Sequence, residues 1–191
     1  MKSIRLFAAV PLGQALQPKF DSLLGQAASI PSGVRWVKPE NLHLTLKFFG
    51  EMNDEKLRLV TDLLAKVAAR HGLFSLTAEG LDAFPNLRQP KSLFVSLRCG
   101  NDALSALALD IERTSKVFVL KPGEERFKAH ITLGRMKSEK GLAPVLEKLN
   151  ILCAEPLGEM PVGSFYLYES QLTSEGSVYT RLREFFLSGS V

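Results

Sequence analysis

Two four-residue segments with the same pattern, His, apolar, Thr, apolar, constrain this sequence more than any other feature. They are His43–Leu46 and His130–Leu133, and they lie almost half a chain apart in a sequence of 191 residues. On a β-strand alternate side chains share a face, so each His and the Thr two residues later point together while the apolar residues point into a core. The sequence therefore predicts two strands that present matching His/Thr pairs.

The surroundings of the two segments also repeat. Each is followed by a turn and then by apolar residues at helical spacing, within residues 55–69 after the first segment and 142–149 after the second. Two strand-turn-helix units of this kind predict two similar lobes that face each other across a cleft.

Strands interspersed with a few helices and hairpin-like turns predict an α+β, bilobal fold, with two pseudo-symmetric lobes of mainly antiparallel sheet and outer helices. Without a linker rich in Pro, Gly or Ser, residues 1–191 are predicted to form one domain. The predicted strands are residues 5–10, 34–37, 42–49, 74–81, 92–97, 128–133, 162–171 and 177–186. The predicted helices are residues 13–28, 54–71, 102–116 and 139–149.

A net charge of +4 and an isoelectric point near 9.1 favour an anionic partner without specifying one. The position of the basic residues is more informative, because a positively charged cleft raises the local concentration of a polyanion. Basic residues surround both segments, at Arg35, Lys38 and Lys47 for the first and at Arg126, Lys128, Arg135 and Lys137 for the second.

Several classes of protein are disfavoured. Because the chain lacks a bilayer-length apolar run and its first residues lead into a strand rather than a signal peptide, we expect a cytoplasmic protein that does not enter a membrane. Cys99 and Cys153 are isolated, which argues against a zinc site or a disulfide framework, and both are expected to be small buried residues. Because no carboxylate cluster flanks either segment, we expect no bound metal and no cofactor.

The two repeated histidines suit acid-base chemistry, since imidazole can act as either an acid or a base near neutral pH. An anionic group held between the strands would meet His43, His130 and the hydroxyls of Thr45 and Thr132, which suits phosphoryl chemistry better than acyl transfer. The third histidine, His71, precedes a glycine at a predicted helix end, where a basic residue complements the helix dipole. We interpret His71 as structural.

Longer stretches around these segments resemble a known family. Residues 35–50, the opening strand 5–10 and residues 127–135 are similar to the bacterial and archaeal RNA 2',3'-cyclic phosphodiesterases, which belong to the two-histidine phosphoesterase superfamily and were first described as 2'-5' RNA ligases. Residues 167–176 are similar to the family's penultimate hairpin. The resemblance covers nearly the whole chain.

The resemblance implies hydrolysis of a terminal 2',3'-cyclic phosphate on RNA or a nucleotide to a 2'-phosphate, without a metal or other cofactor, by a monomer. His43 and His130 match the acid/base pair, and Thr45 and Thr132 match phosphate donors. Phe48 matches a base-packing aromatic residue and Arg135 a phosphate-contacting arginine. We assign His43 as the acid and His130 as the base, an assignment that can be reversed.

Phe48 and Arg135 each lie five residues after a motif histidine, an odd offset that strict alternation would place on the core face. The strand must therefore end, twist or bulge before each of them, which Gly134 would ease on the second strand. Plain core packing of Phe48 is the alternative. The sequence departs from the family at Ala129, where a proline is usual, and at Leu93-Phe94, where many members carry a tryptophan.

Three other functions fit the same residues. One is a two-histidine phosphodiesterase that acts on 2'-5' oligonucleotides or RNA 3' ends, and another is RNA ligation by the reverse reaction. The third is a non-catalytic RNA-binding module, although histidines in both copies of the motif argue against it. A panel of cyclic nucleotides and oligonucleotides separates these functions.

Overall fold

The computed structural model describes residues 3–116, 127–174 and 176–188. Within these ranges the strands are β1 (Ile4–Pro11), β2 (Val34–Trp36), β3 (His43–Met52), β4 (Phe74–Phe84), β5 (Ser92–Cys99), β6 (His130–Met136), β7 (Gly158–Val162), β8 (Ser164–Thr173) and β9 (Gly176–Phe186). The helices are α1 (Gln17–Ala28), α2 (Asp54–Ala68), α3 (Asn101–Ser115) and α4 (Leu142–Leu152), with one 3-10 turn at Pro39–Asn41.

The strands form two antiparallel sheets, which we call sheet A and sheet B. Sheet A has the order β3-β1-β8-β9 and sheet B the order β2-β6-β5-β4-β7. The helices pack in pairs, α2 with α3 and α1 with α4, and both pairs contact a sheet. The predicted α+β, bilobal architecture is confirmed.

Each sheet contributes one strand that carries a His/Thr pair. β3 is the edge strand of sheet A, β6 is next to the edge strand β2 in sheet B, and β3 contacts β6. The apolar residues of both segments are buried in one hydrophobic cluster that spans the two sheets; they are Leu44, Leu46, Ile131 and Leu133. The two motif strands are thus fixed by a shared core, with their His/Thr faces free for chemistry.

The predicted strand 162–171 is wrong in one respect, because two strands occupy this region. β7 ends at Val162, and after Gly163 the chain enters β8, which belongs to the other sheet. Pro161 lies within β7, where its missing N–H is tolerated because β7 is the edge strand of sheet B. β7 alternates between exposed and buried residues, but it has only five residues and contains a proline, so the sequence signal for a separate strand is weak.

Two helices begin later than predicted. α1 begins at Gln17 rather than at residue 13, with Pro18 in its first turn, a position where the absent N–H costs nothing. α4 begins at Leu142 rather than at residue 139, because Gly141 adopts a left-handed conformation with a φ of 66°. Of the two cysteines, Cys153 is buried as expected, whereas Cys99 is exposed at the end of β5, so the prediction for Cys99 is wrong.

Within the described ranges, no helix is both long and apolar enough to span a lipid bilayer.

Candidate active site

The two histidines open the two motif strands, and the expected alternation holds along both. His43 and Thr45 on β3 are half-buried, as are His130 and Thr132 on β6, whereas the residue between each pair is fully buried. Each histidine therefore shares a strand face with the threonine two residues later, on the side away from the core.

Each motif strand contains a β-bulge at the same position, three residues after the histidine. In the pairing of β3 with β1, Ala9 faces Thr45 and Ala8 faces Lys47, which leaves Leu46 without a partner. In the pairing of β6 with β5, Phe94 faces Thr132 and Leu93 faces Gly134, which leaves Leu133 without a partner. An extra residue shifts the alternation by one, so the residue at the odd offset of five returns to the histidine face.

The bulges decide the orientation of Phe48 and Arg135. Phe48 is 62% exposed and Arg135 is exposed, so both lie on the open face and plain core packing of Phe48 is wrong. Gly134 was expected to ease the bulge through its conformational freedom, but its φ is not positive, so it contributes in another way. A Cβ atom on Gly134 would lie 2.6 Å from Cγ1 of Val34, so the glycine is required for the close approach of β2.

Hydrogen bonds fix the orientation of the His43 ring. Its Nδ1 lies 2.6 Å from the carbonyl oxygen of Asn41, and its Nε2 lies 3.0 Å from the hydroxyl oxygen of Thr45. Since a carbonyl only accepts, Nδ1 must carry the proton that it donates. Nε2 is then the nitrogen that gains or loses a proton beside Thr45.

His130 is held in the same way. Its Nδ1 lies 2.6 Å from the carbonyl oxygen of Lys128, again two residues before the histidine. The same tautomer follows, with Nε2 as the titrating nitrogen. The two rings thus reach the cleft with equivalent atoms available for proton transfer.

Two aromatic rings flank each histidine. The ring centre of His43 lies 5.2 Å from that of Phe7 and 5.4 Å from that of Tyr179. The ring centre of His130 lies 5.0 Å from that of Phe84 and 4.9 Å from that of Phe94. Phe94 is fully buried, so it contacts His130 from the core side. The sequence analysis did not identify any of these rings as part of the site, because strand pairing brings them there.

The environment lowers the pKa of both histidines. For His43 burial is the main cause, opposed by the hydrogen bond to Asn41 and reinforced by the charge of His130. For His130 burial is again the main cause, opposed by the hydrogen bond to Lys128 and reinforced by the charges of Lys128 and Arg135. The mutual effect means that the two rings titrate as a coupled pair.

A cavity of about 200 Å³ adjoins the motif strands and carries positive charge. Arg35 on β2 pairs with Arg135 on β6, and both line this cavity with Lys38. The rest of the lining is Trp36, Val37, Asn41, Leu172, Thr173, Gly176, Ser177 and Tyr179. Guanidinium groups beside an indole ring suit a ligand that has both a phosphate and a flat base.

The other basic residues add less positive charge to the cleft than expected. Lys47 is buried and forms an ion pair with Glu112 on α3, so the prediction that it faces the cleft is wrong. The reason is the bulge at Leu46, which turns Lys47 toward the core side. The ammonium group of Lys128 lies 2.7 Å from a carboxylate oxygen of Asp82 and above the rings of Phe84 and Phe94. Arg126 lies outside the described residues.

His71 is separate from this constellation. Its Nε2 lies 3.0 Å from a carboxylate oxygen of Asp110 on α3, and Arg70 binds the same carboxylate. Burial raises the pKa of Asp110, but the hydrogen bonds from His71 and Arg70 outweigh it and keep that pKa low. His71 therefore ties the end of α2 to α3.

In the three described ranges, no group of three or more His, Cys, Asp or Glu side chains is arranged to hold a metal ion.

Comparisons with known proteins agree with this geometry. The model of the family described as LigT-like phosphoesterase matches residues 11–94 and again residues 97–179, so each match contains one His/Thr pair. The RNA 2',3'-cyclic phosphodiesterase of Archaeoglobus fulgidus is 34% identical over 95% of this chain and 99% of its own. The enzyme of the same name from Methanothermobacter thermautotrophicus is 29% identical over 96% of this chain and 99% of its own.

Solved structures share the fold. The crystal structure of TT0787 of Thermus thermophilus has a TM-score of 0.78 and 28% identity, and the match covers 98% of this chain and all of that one. The crystal structure of E. coli LigT complexed with 3'-AMP also has a TM-score of 0.78, with 25% identity and coverage of 98% of this chain and 99% of that one.

Proposed function

The chain belongs to the LigT-like phosphoesterase family, and from this membership we propose that it hydrolyses terminal 2',3'-cyclic phosphates of RNA or nucleotides to 2'-phosphates. One observation carries the proposal, namely two equivalent His/Thr pairs on contacting strands, each followed by the same bulge. Relatives named RNA 2',3'-cyclic phosphodiesterase that match over nearly their full length support this choice of substrate.

The proposed reaction is an in-line displacement at phosphorus. Water attacks the phosphorus atom, the bond to O3' breaks, and the phosphate stays on O2'. The attacking and leaving oxygens lie on opposite sides of the phosphorus, so the base and the acid must also lie on opposite sides. In our proposal His130 takes a proton from water at Nε2, and His43 donates a proton from Nε2 to O3'.

The remaining side chains stabilise the charge. The hydroxyls of Thr45 and Thr132 and the guanidinium of Arg135 are proposed to donate hydrogen bonds to the non-bridging oxygens, where negative charge develops. Phe48, exposed on the same face as His43, is proposed to stack against the base of the terminal nucleotide. Burial lowers the pKa of His130, which suits a base near pH 7, but it lowers the pKa of His43 as well, so these shifts do not assign the two roles.

The proposed function also includes a domain organisation, an oligomeric state and a set of partners. We propose that residues 1–191 act as one domain and as a monomer, in which the six proposed site residues form a complete set. The predicted partners are RNA ends or cyclic nucleotides in the cytoplasm, a placement that fits a substrate produced by RNA cleavage.

A substrate panel tests this function. Purified protein is incubated with 2',3'-cyclic nucleotides, RNA that ends in a 2',3'-cyclic phosphate, 2'-5' oligonucleotides and 3'-5' oligonucleotides, and turnover is measured for each. We expect kcat/KM to be highest for the cyclic phosphates. Turnover confined to 2'-5' linkages or to unmodified RNA 3' ends would overturn the proposal.

Metal independence is a direct consequence of the mechanism, because each charge and proton in the proposed step is handled by a side chain. Activity on 2',3'-cyclic AMP should be unchanged after dialysis against excess EDTA. The measurement is initial rate with and without chelator, followed by addition of Mg²⁺ or Mn²⁺ in excess of the chelator. Loss of activity that either metal restores would contradict the mechanism.

The pH dependence should reveal the coupled histidine pair. The reactive enzyme carries one proton on the pair, and the environment lowers both pKa values below their ordinary value of 6.5. At pH 7 most free enzyme therefore has two neutral rings, so kcat/KM should rise as the pH falls toward 6 and decline when the second proton binds. A bound anionic phosphate favours the protonated ring, so the kcat optimum should lie at higher pH than the kcat/KM optimum.

This prediction is checked by rate measurements between about pH 5 and 9 in buffers of constant ionic strength. Single-turnover rates establish whether chemistry limits the profile. A kcat/KM that increases steadily above pH 7 would be incompatible with the lowered pKa values of the pair.

A further inference from the structure

A second cavity borders the site, and the proposed reaction leaves it unused. It has a volume of about 270 Å³ and lies beside His43, between β1, β8, β9 and the segment that precedes β3. Asn41 and Tyr179 line this cavity and also the first one, so the two cavities are neighbours. A ligand that fills the first cavity can therefore continue into the second.

Aromatic side chains form a row across sheet A toward this cavity, in which Phe48 at one end is exposed, Tyr166 at the other end is half-buried, and Phe7 and Tyr168 between them are buried. The ring of Phe7 lies 5.8 Å from that of Phe48 and stacks on Tyr168 with a ring-centre distance of 5.0 Å. The ring of Tyr168 lies 5.9 Å from that of Tyr166. Because β8 is two strands away from β3, the Tyr166 end of this row lies roughly 10 Å from the proposed site of the terminal base.

An arginine lies at the Tyr166 end of this row of aromatic rings. Arg181 on β9 is exposed and faces Tyr168 on β8, and its guanidinium carbon lies 4.7 Å from the ring centre of Tyr166. In the part of the chain that the structure describes, no carboxylate oxygen lies within 4.0 Å of its nitrogens. Glu184 on β9 accepts a hydrogen bond from Ser164, which lowers the pKa of Glu184, and the charge of Arg181 lowers it further, so one carboxylate lies near the guanidinium without forming a salt bridge. A guanidinium held in this way above an aromatic ring is suited to bind a phosphate next to a stacked base.

We propose that Arg181 and Tyr166 form a subsite for the nucleotide on the 5' side of the reacting one in single-stranded RNA. The inference rests on the proposed function and adds a preference for oligonucleotides over cyclic mononucleotides. Stacking on an aromatic ring together with one arginine-phosphate contact is the usual way in which proteins hold single-stranded nucleic acid without reading its sequence. In this role Arg181 binds the internucleotide phosphate and the neighbouring base stacks at Tyr166.

The polar rim of the cavity is compatible with RNA. Gln17 and Glu40 line the same cavity as Arg181, and their side chains can hydrogen-bond to a ribose hydroxyl or a base edge. The amide nitrogen of Gln17 already donates to Asp21 and to the carbonyl oxygen of Pro39, so the oxygen of this amide and the carboxylate of Glu40 are the groups open to a ligand.

The test compares substrates of two lengths. We expect kcat/KM for a trinucleotide that ends in a 2',3'-cyclic phosphate to exceed that for 2',3'-cyclic AMP by about tenfold. Arg181→Gln should remove most of this gain through KM, and it should reduce the salt dependence of trinucleotide binding by about one unit of slope. Tyr166→Leu should also reduce the gain. Turnover of cyclic AMP should change by less than about twofold in both variants, which shows that they fold.

Arg183→Gln is the matched control. Arg183 lies on the same strand and carries the same charge, but it lines a different cavity with α2 residues such as Arg58 and Asp62. We expect this variant to retain the full preference for the trinucleotide. An equal loss in Arg183→Gln and Arg181→Gln would show a general effect of charge and overturn the subsite.

The remaining outcomes separate the subsite from the proposed function. If the wild-type protein hydrolyses both substrates with equal kcat/KM, the subsite is refuted and the proposed function stands. If it hydrolyses neither substrate, the proposed function fails and the subsite fails with it.

Discussion

Replacing either His43 or His130 with alanine should lower kcat for 2',3'-cyclic AMP by about 10²–10⁴-fold, the usual cost of losing a positioned general acid or base. The loss should appear mainly in kcat, because in the proposed mechanism the two histidines act on protons that move only in the transition state. The two losses should not add in the double variant, since acid and base act in the same transition state. Steady-state kinetics of the three variants measure this directly.

His71→Ala is the control for these variants. His71 is the third histidine of the chain, and its contact with Asp110 lies between two helices outside the cleft. We expect unchanged kcat and a loss of about 1 kcal/mol or less in the free energy of unfolding. Equal losses of activity at all three histidines would show that the repeated motif is not the site.

Replacing Thr45 or Thr132 with valine should lower kcat by roughly 10²-fold, because each variant removes one donor to the non-bridging oxygens while keeping the shape of the side chain. KM should change little, since the donors act most strongly on the charge that develops in the transition state. Thr45→Val should also alter the pH profile, because the Thr45 hydroxyl lies 3.0 Å from Nε2 of His43.

Thr61→Val provides the matched substitution outside the cleft. The Thr61 hydroxyl donates to the carbonyl oxygen of Leu57 within α2, and its loss should leave the kinetics unchanged. If Thr45→Val and Thr132→Val raise KM and leave kcat unchanged, the threonines bind the ground state only and the proposed stabilisation of charge is wrong.

The sequence predicts well which side chains share a strand face with the two histidines, because strand alternation is a local property. Alternation along a strand needs no knowledge of the partner strand, so the pairing of His43 with Thr45 on one face follows from spacing alone. The odd offset of Phe48 and Arg135 even predicts an irregularity, which the structure provides as bulges at Leu46 and Leu133. Strand alternation and a single bulge therefore account for the exposed position of Phe48 as well as for the positions of the motif residues.

The surroundings of each histidine depend on contacts between distant segments, which local rules do not give. Phe7 reaches His43 because β1 pairs with β3, and Tyr179 reaches it from the far end of the chain. The carbonyl groups of Asn41 and Lys128 that hold the rings are backbone atoms, so the side chains at these positions carry no common pattern. For these groups strand register is the missing information.

The strand face that the charged residue Lys47 occupies could not be predicted from local rules either. Its place within the first motif region suggested a cleft residue, but the bulge at Leu46 turns it inward, where it forms an ion pair with Glu112. One extra residue in a strand reverses the face of the next side chain, so the outcome depends on where the bulge falls.

The central claim is that water attacks the cyclic phosphate and that O3' leaves, with His43 and His130 moving the protons. Single-turnover hydrolysis of RNA with a 2',3'-cyclic end in H₂¹⁸O, with EDTA present and the product identified by ³¹P NMR and mass spectrometry, tests it most directly. We predict one ¹⁸O atom on a 2'-phosphate, formed about 10²–10⁴-fold more slowly by the His43→Ala, His130→Ala double variant. A 3'-phosphate product, or ¹⁸O incorporation at an unchanged rate by the double variant, would contradict the mechanism.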